Sequence, residues 1–181
     1  MVLPPLATLD QLAGWMQRDR AELPSGAALV LDVASSVVRG EARQSFTRGT
    51  SSARLAPDRG WVTLPQRPVI SVQTVRRGTE LVPADRWRLV RDRVRLLGLV
   101  DDDQAVTVTY VHGYSSVPGD VLAVVLTLAA RVLGNPRDLR QETVGSVSVT
   151  YSAETIGASL APADRDLLAR YRRRSAVVRL R

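Results

Sequence analysis

The stretch "VTVTYVHGYSSVPGDVLAVVLTLAARVL", Val106 to Leu133, changes its periodicity halfway along. Up to His112 it alternates. Val106, Val108, Tyr110 and His112 fall on one face, and Thr107, Thr109 and Val111 on the other, which is the period of a strand. From Pro118 onward the apolar residues come almost without a break, which predicts a helix buried on several sides. Pro118 suits a first helical turn, and Asp120 suits the positive end of the helix dipole. Gly113 lies at the hand-over and allows the turn. A strand that runs straight into a buried helix, with a β-prone region before it and helical patterns at either end of the chain, indicates an α+β fold.

Toward the N-terminus, Thr8 and Gln11 have the spacing of a capping box, and Leu9, Leu12, Ala13 and Met16 follow on one helical face. That helix should end before Pro24. Ser25 is placed to cap a second helix, in which Ala27, Val30, Leu31, Ala34, Val37 and Val38 form one apolar stripe and Gly40 is the expected stop. Residues 1–45 therefore read as a helical hairpin. "EARQSFTRGTSSA", Glu41 to Ala53, is polar and poor in bulky apolar residues, and reads as an exposed, mobile loop. Residues 54–114 then hold short β-prone runs, "WVTL", "VISVQTVRRG", "RWRLV" and "VRLLG", with turns expected at Arg77-Gly78 and at Asp92. After the buried helix at 117–134, residues 137–158 read as an extended arm containing the alternating "SVSVTYS". Ser159, Pro162 and Asp164 open a last helix at 159–174, with Leu167, Leu168 and Tyr171 as its apolar face. Residues 175–181 form a basic tail. The fold expected is a small bundle of about four helices with a central antiparallel β insertion and extended arms.

Composition narrows the chemistry. The 181 residues include no cysteine and one histidine, so thiolate catalysis, disulfides and Cys-based zinc sites are excluded. No run of about 18 apolar residues predicts a membrane helix, and "MVLPPLATLDQL" lacks the pattern of a secretory signal. The formal net charge is +7, and every one of the 25 basic residues is arginine. Arginine stays charged and makes forked contacts with carboxylate or phosphate.

His112 is the one candidate base. A His-dependent site needs a carboxylate to orient the ring and a nucleophile in reach, and no motif around it supplies them. A strand-end role is the expectation, and no catalytic residue is assigned. Asp101, Asp102 and Asp103 lack the loop spacing, the turning Gly and the later Glu of a calcium site, so no metal site is assigned. No glycine-rich phosphate loop occurs, and no cofactor is expected. The arginines concentrate in two places. Arg86, Arg88, Arg93 and Arg95 would give a basic sheet surface. Arg170, Arg172, Arg173, Arg174, Arg179 and Arg181, with Val177 and Val178, would give a partner-binding C-terminal segment. Such clusters suit a phosphate backbone or an acidic partner.

Four phrases, "LPQRPVISVQTV", "VTVTYVHGYSSVPGDVLAVVLTLAARVL", "ETVGSVSVTYS" and "LAPADRDLLARYRR", in this order, resemble the head–tail connector (adaptor) proteins of long-tailed bacteriophages. The resemblance spans most of residues 8–174. It implies a structural subunit without enzymatic activity, in a ring commonly of twelve copies beneath the portal protein. Its implied partners are the portal, neighbouring copies of itself, a downstream neck or tail protein, and DNA passing through the channel without sequence-specific binding. No membrane is involved. The implied location is the virion neck, after synthesis in the host cytoplasm. Other readings are a different neck protein (stopper or tail completion) and a small basic nucleic-acid-binding module. On the connector reading, residues 41–54 and 137–158 should become ordered only against neighbours.

Overall fold

The computed structural model describes residues 3–98, 104–135, 141–144, 147–150 and 158–172. Among these residues the fold is α+β, with four α-helices and antiparallel sheets. It divides into two units. Residues 44–116 form one; residues 1–43 and 117–181 form the other.

The β unit begins earlier than its composition suggests. Strand β1 (Gly49–Leu55) pairs along its whole length with β7 (Val106–His112), from Gly49 opposite His112 to Leu55 opposite Val106. The loop expected over Glu41–Ala53 is therefore corrected: these small polar residues are ordered by a backbone ladder, which needs no bulky side chains. Just ahead of β1, Phe46 is 1% exposed, so this segment carries its own apolar anchor. The segment 44–55 thus does not wait for a neighbour to become ordered. On its other edge β7 pairs with β3 (Val69–Arg77), which turns into the short β4 (Glu80–Leu81) at the expected Arg77-Gly78 turn. A second sheet holds β2 (Trp61–Thr63), β6 (Arg93–Leu96) and β5 (Trp87–Val90) in that order, with Asp92 in the β5–β6 turn. Val62, Leu64, Val75, Val94, Leu96, Val106, Val108 and Tyr110, drawn from both sheets and the residue after β2, make the apolar core of the β unit. Burying each such side chain stabilises by about 1.5–3 kcal/mol. Alternation in β7 is complete: Val106, Val108, Tyr110 and His112 are buried and the residues between them half-buried.

Several polar groups here are satisfied by hydrogen bonds between segments distant in sequence. Gln44, 4% exposed, donates to the Pro65 carbonyl (2.9 Å) and accepts from the Arg67 amide (2.8 Å). The Gln66 amide donates to the Tyr110 hydroxyl at 3.1 Å. Asp92 accepts from the Val69 amide at 2.9 Å, so the β5–β6 turn also anchors the start of β3. Gly113 has φ +96°, and a Cβ there would lie 2.6 Å from the Thr47 carbonyl carbon. Only glycine lets the chain pass that close as it leaves β7.

In the helical unit α1 (Leu9–Trp15) starts with the expected capping box. The Gln11 amide donates to Thr8 Oγ1 (3.2 Å), and the Thr8 amide donates to Gln11 Oε1 (2.9 Å). Helix α2 (Ala27–Ala42) differs from its reading at both ends. Gly26, not Ser25, holds the N-cap position, and the helix runs through Gly40 to stop at Arg43 in the left-handed conformation. Val38 and Ala42 are both 0% exposed, and their burial outweighs the roughly 1 kcal/mol penalty of an internal glycine. Helix α3 (Gly119–Gly134) buries Val121, Val124, Val125, Leu126, Leu128 and Ala129. The other helices, α1, α2 and α4 (Pro162–Ala169), all pack on it. In α4 the expected apolar face is corrected: Leu168 is 1% exposed but Leu167 is 47% exposed. The helix is also shorter than the 159–174 expected. It closes in tight turns, with the Tyr171 and Arg172 amides bonded to Leu168 and Ala169 carbonyls. Of the arm expected over 137–158, residues 141–144 and 147–150 hold an antiparallel pair, β8 (Gln141–Val144) with β9 (Val147–Thr150), and residues 137–140, 145–146 and 151–157 lie outside the described residues. No helix among the described residues is long and apolar enough to cross a membrane.

Candidate functional site

His112 lies at the end of β7, 3% exposed, between Gly49 of β1 and Val69 of β3. Its Nε2 meets Ser51 Oγ at 2.8 Å, and its ring is 5.4 Å from that of Tyr110. A Ser–His pair invites comparison with a nucleophile and its base. The third member is missing, because among the described residues nothing bonds to the buried Nδ1. Without a carboxylate there, the ring has no orienting anion and no partner to stabilise an imidazolium. Burial also holds its pKa below the ordinary imidazole value, which favours the neutral form. The arrangement is a part-buried hydrogen bond across two strands. Among the described residues no cluster of three His, Asp or Glu side chains could hold a metal; Asp101, Asp102 and Asp103 lie outside them.

The arginines of the β unit lie on two different features. Arg88 of β5 faces Arg95 of β6, and Arg93 shares that face. Trp61 of β2 is the other cross-strand partner of Arg95. The guanidinium carbons of Arg93 and Arg95 lie 4.7 and 5.1 Å from the Trp61 ring centroid. Arg95 also donates to the Arg59 carbonyl at 2.5 Å. Opposed like charges destabilise a strand pair, and the indole face and the carbonyl offset that repulsion. Arg88 and Arg93 are exposed. Arg86 does not join this face. It lies in the turn Ala84–Arg86 that precedes β5. Trp61 was missed from sequence because nothing local marks it. Only the pairing of β2 with β6 brings it under the arginines.

Of the C-terminal cluster, Arg170 and Arg172 are described, and both are engaged within the helical unit. Arg170 forms an ion pair with Asp120 in the first turn of α3, and its guanidinium lies 5.2 Å from the Tyr171 ring centroid. Tyr171 donates its hydroxyl to the same carboxylate at 2.8 Å. Arg172 pairs with Glu41 and donates from Nε to the Glu41 carbonyl at 2.8 Å, at the C-terminal end of α2, where a cation is favoured. Arg173, Arg174, Val177, Val178, Arg179 and Arg181 lie outside the described residues. A third clamp was not foreseen. Arg131 of α3 donates to Asp164 of α4 at 2.7 Å, and that carboxylate also accepts from the Ala161 amide. One Asp thus caps α4 and fastens it to α3.

No family model matches this sequence, and no curated protein does either. Solved structures do share its fold. A chain from the neck of an empty gene transfer agent particle, determined with C6 symmetry, has a TM-score of 0.61 and 19% identity over 98% of this chain and 95% of that one. A chain from the native particle's neck, determined with C12 symmetry, gives 0.54 and 22%, over 98% of each. A chain from the virion of the native gene transfer agent particle gives 0.60 and 22%, over 96% of this chain and 92% of the other.

Proposed function

We propose that this chain is a structural subunit of the neck of a tailed phage-like particle, forming the head–tail connector (adaptor) ring beneath the portal. The observation that carries the reading is the fold it shares, nearly end to end and through both units, with neck chains of gene transfer agent particles. C12 symmetry in one of those necks supports a ring of twelve copies around a DNA channel. The order of sequence phrases supports the adaptor over a stopper or tail-completion protein. The part-buried Ser51–His112 pair, which lacks an orienting carboxylate, supports a structural rather than an enzymatic role. In this reading the segment 173–181, basic and carrying Val177 and Val178, contacts the portal or a neighbouring copy.

Deletion of the gene from the parent particle tests this. DNA-filled heads that fail to acquire tails are the expected product. Normal tailed particles, or heads that fail to package, contradict the adaptor role. A small nucleic-acid-binding module is the rival, favoured by the exposed arginines around Trp61. It requires affinity for free duplex DNA that falls steeply with salt. The connector reading expects only weak, sequence-independent binding.

A further inference from the structure

The β unit has a second arginine feature that the neck reading does not use. A cavity of about 210 Å³ is lined by Arg77, Glu80, Val82, Arg86, Leu96 and Gly98, among others. Arg77 ends β3 and lies opposite Glu80 of β4, yet the two make no ion pair. Arg77 Nε is shielded from solvent and has no acceptor. Arg86 enters from the turn before β5, whose carbonyl is held by the Leu97 amide at 2.7 Å. Its Nη1 lies over Gly98, 3.6 Å from where a Cβ would stand, at a residue with φ +99°. Two guanidinium groups therefore converge on one cavity, and among the described residues neither side chain has a hydrogen-bond or ion-pair partner.

A shielded guanidinium N–H without an acceptor, as at Arg77 Nε, is costly, and an anion bound there would satisfy it, with the exposed Arg86 adding a second positive charge. Among the described lining residues, one acid against two arginines leaves a formal excess of one positive charge. The walls decide which anion. Val82, Leu96 and their neighbours Leu81, Pro83 and Leu97 are apolar, so the cavity suits a carboxylate on an aliphatic stem. Among the described residues no aromatic ring lines it for base stacking. We infer that this cavity is a docking site for an acidic peptide segment of a partner protein, with Arg77 and Arg86 gripping Asp or Glu carboxylates and the apolar wall taking their methylene stems. The site stands on this geometry alone and is independent of the neck reading.

Backbone and arginine side-chain NMR of the full chain tests it, with acetyl-Glu-Leu-Glu-amide as the probe and acetyl-Gln-Leu-Gln-amide as its neutral match. The acidic peptide should shift the Leu97 and Gly98 amides and the Arg77 Nε–H saturably, and the neutral one should not. Arg86→Gln, at an exposed position that does not threaten folding, should weaken binding about tenfold, as loss of one charge-assisted pair does. Arg77→Lys, which keeps the charge and loses the fork, should weaken it measurably as well. Equal shifts with the neutral peptide, or unchanged affinity in Arg86→Gln, overturn the site. Tighter binding of a duplex DNA 12-mer at the same resonances overturns the assignment to a peptide.

Discussion

The two units fasten their elements mainly in different ways, although the buried Ser35 of the helical unit is also held by neutral bonds, from the Leu6 amide (2.9 Å) and to the Leu31 carbonyl (2.7 Å). In the β unit amides, carbonyls and neutral side chains do it: Gln44 with Pro65 and Arg67, Gln66 with Tyr110, Ser51 with His112. In the helical unit the links between helices are ionic: Arg131 with Asp164, Arg170 with Asp120, Arg172 with Glu41. The helical unit also leaves Leu29 69% exposed and Trp15 50% exposed. The difference teaches where adaptability lies. A neutral network responds little to salt. Helices fastened at their ends by arginine–carboxylate pairs can be reset by competing charges, which suits the unit that carries the C-terminal segment.

The largest expected effect lies in the β unit. Gly113→Ala should destabilise it by about 2–4 kcal/mol, because the new Cβ meets the Thr47 backbone at a left-handed φ. Chemical denaturation measures it, and an unchanged midpoint breaks the claim. Next comes Asp164→Asn in the helical unit. The Arg131 and Asp164 side chains are only 20% and 15% exposed, and Nε and Nη1 of Arg131 have no acceptor among the described residues. Losing the carboxylate should cost about 2 kcal/mol, less than a fully buried pair. Hydrogen exchange should locate the loss in α3 and α4, leaving β1 and β7 protected.

Acid should act on the β unit through His112. Its folded pKa lies below the unfolded value, so the unfolded chain binds the proton more readily. The stability this adds is present above the ordinary imidazole pKa, about 6.5, and is lost as pH falls toward the folded pKa. Protection factors in β1 and β7, which correct for the slower intrinsic exchange of amides in acid, should fall as pH drops from 7 to 5, and His112→Gln should remove that fall. An identical pH response in the variant contradicts it. The smallest effect is Glu41→Gln, which removes an ion pair with side chains 20% and 45% exposed. It should cost about 0.5 kcal/mol at low salt and nothing resolvable at 1 M. Thermal melts at both salts check it. A salt-independent loss would dissolve the contrast between the units.

Much of this architecture was legible because it is local. The Thr8–Gln11 capping box, the alternation of β7 and the helix after Pro118 each follow from neighbouring residues. What escaped depends on distant partners. "GTSSARL" carries one large aliphatic residue, and it is a strand because β7 offers it a ladder. Gly40 looked like a stop, but burial of Val38 and Ala42 carries the helix past it. The same limit applies to the sites. The arginine clusters were visible as charge, whereas their separation into a Trp61 stack, a two-arginine cavity and helix clamps required the pairing of strands and the packing of α3 with α4. His112 began as the one candidate base. Its Ser51 partner, on another strand, was out of sight, and so was the unbonded Nδ1 that argues against catalysis.

Cryo-electron microscopy of the purified chain mixed with its particle's portal protein tests the central claim most directly. The account predicts twelve copies in a ring stacked on the portal, coaxial with its channel. Portal rings that remain bare, with this chain dispersed as monomers at saturating concentration, would contradict it.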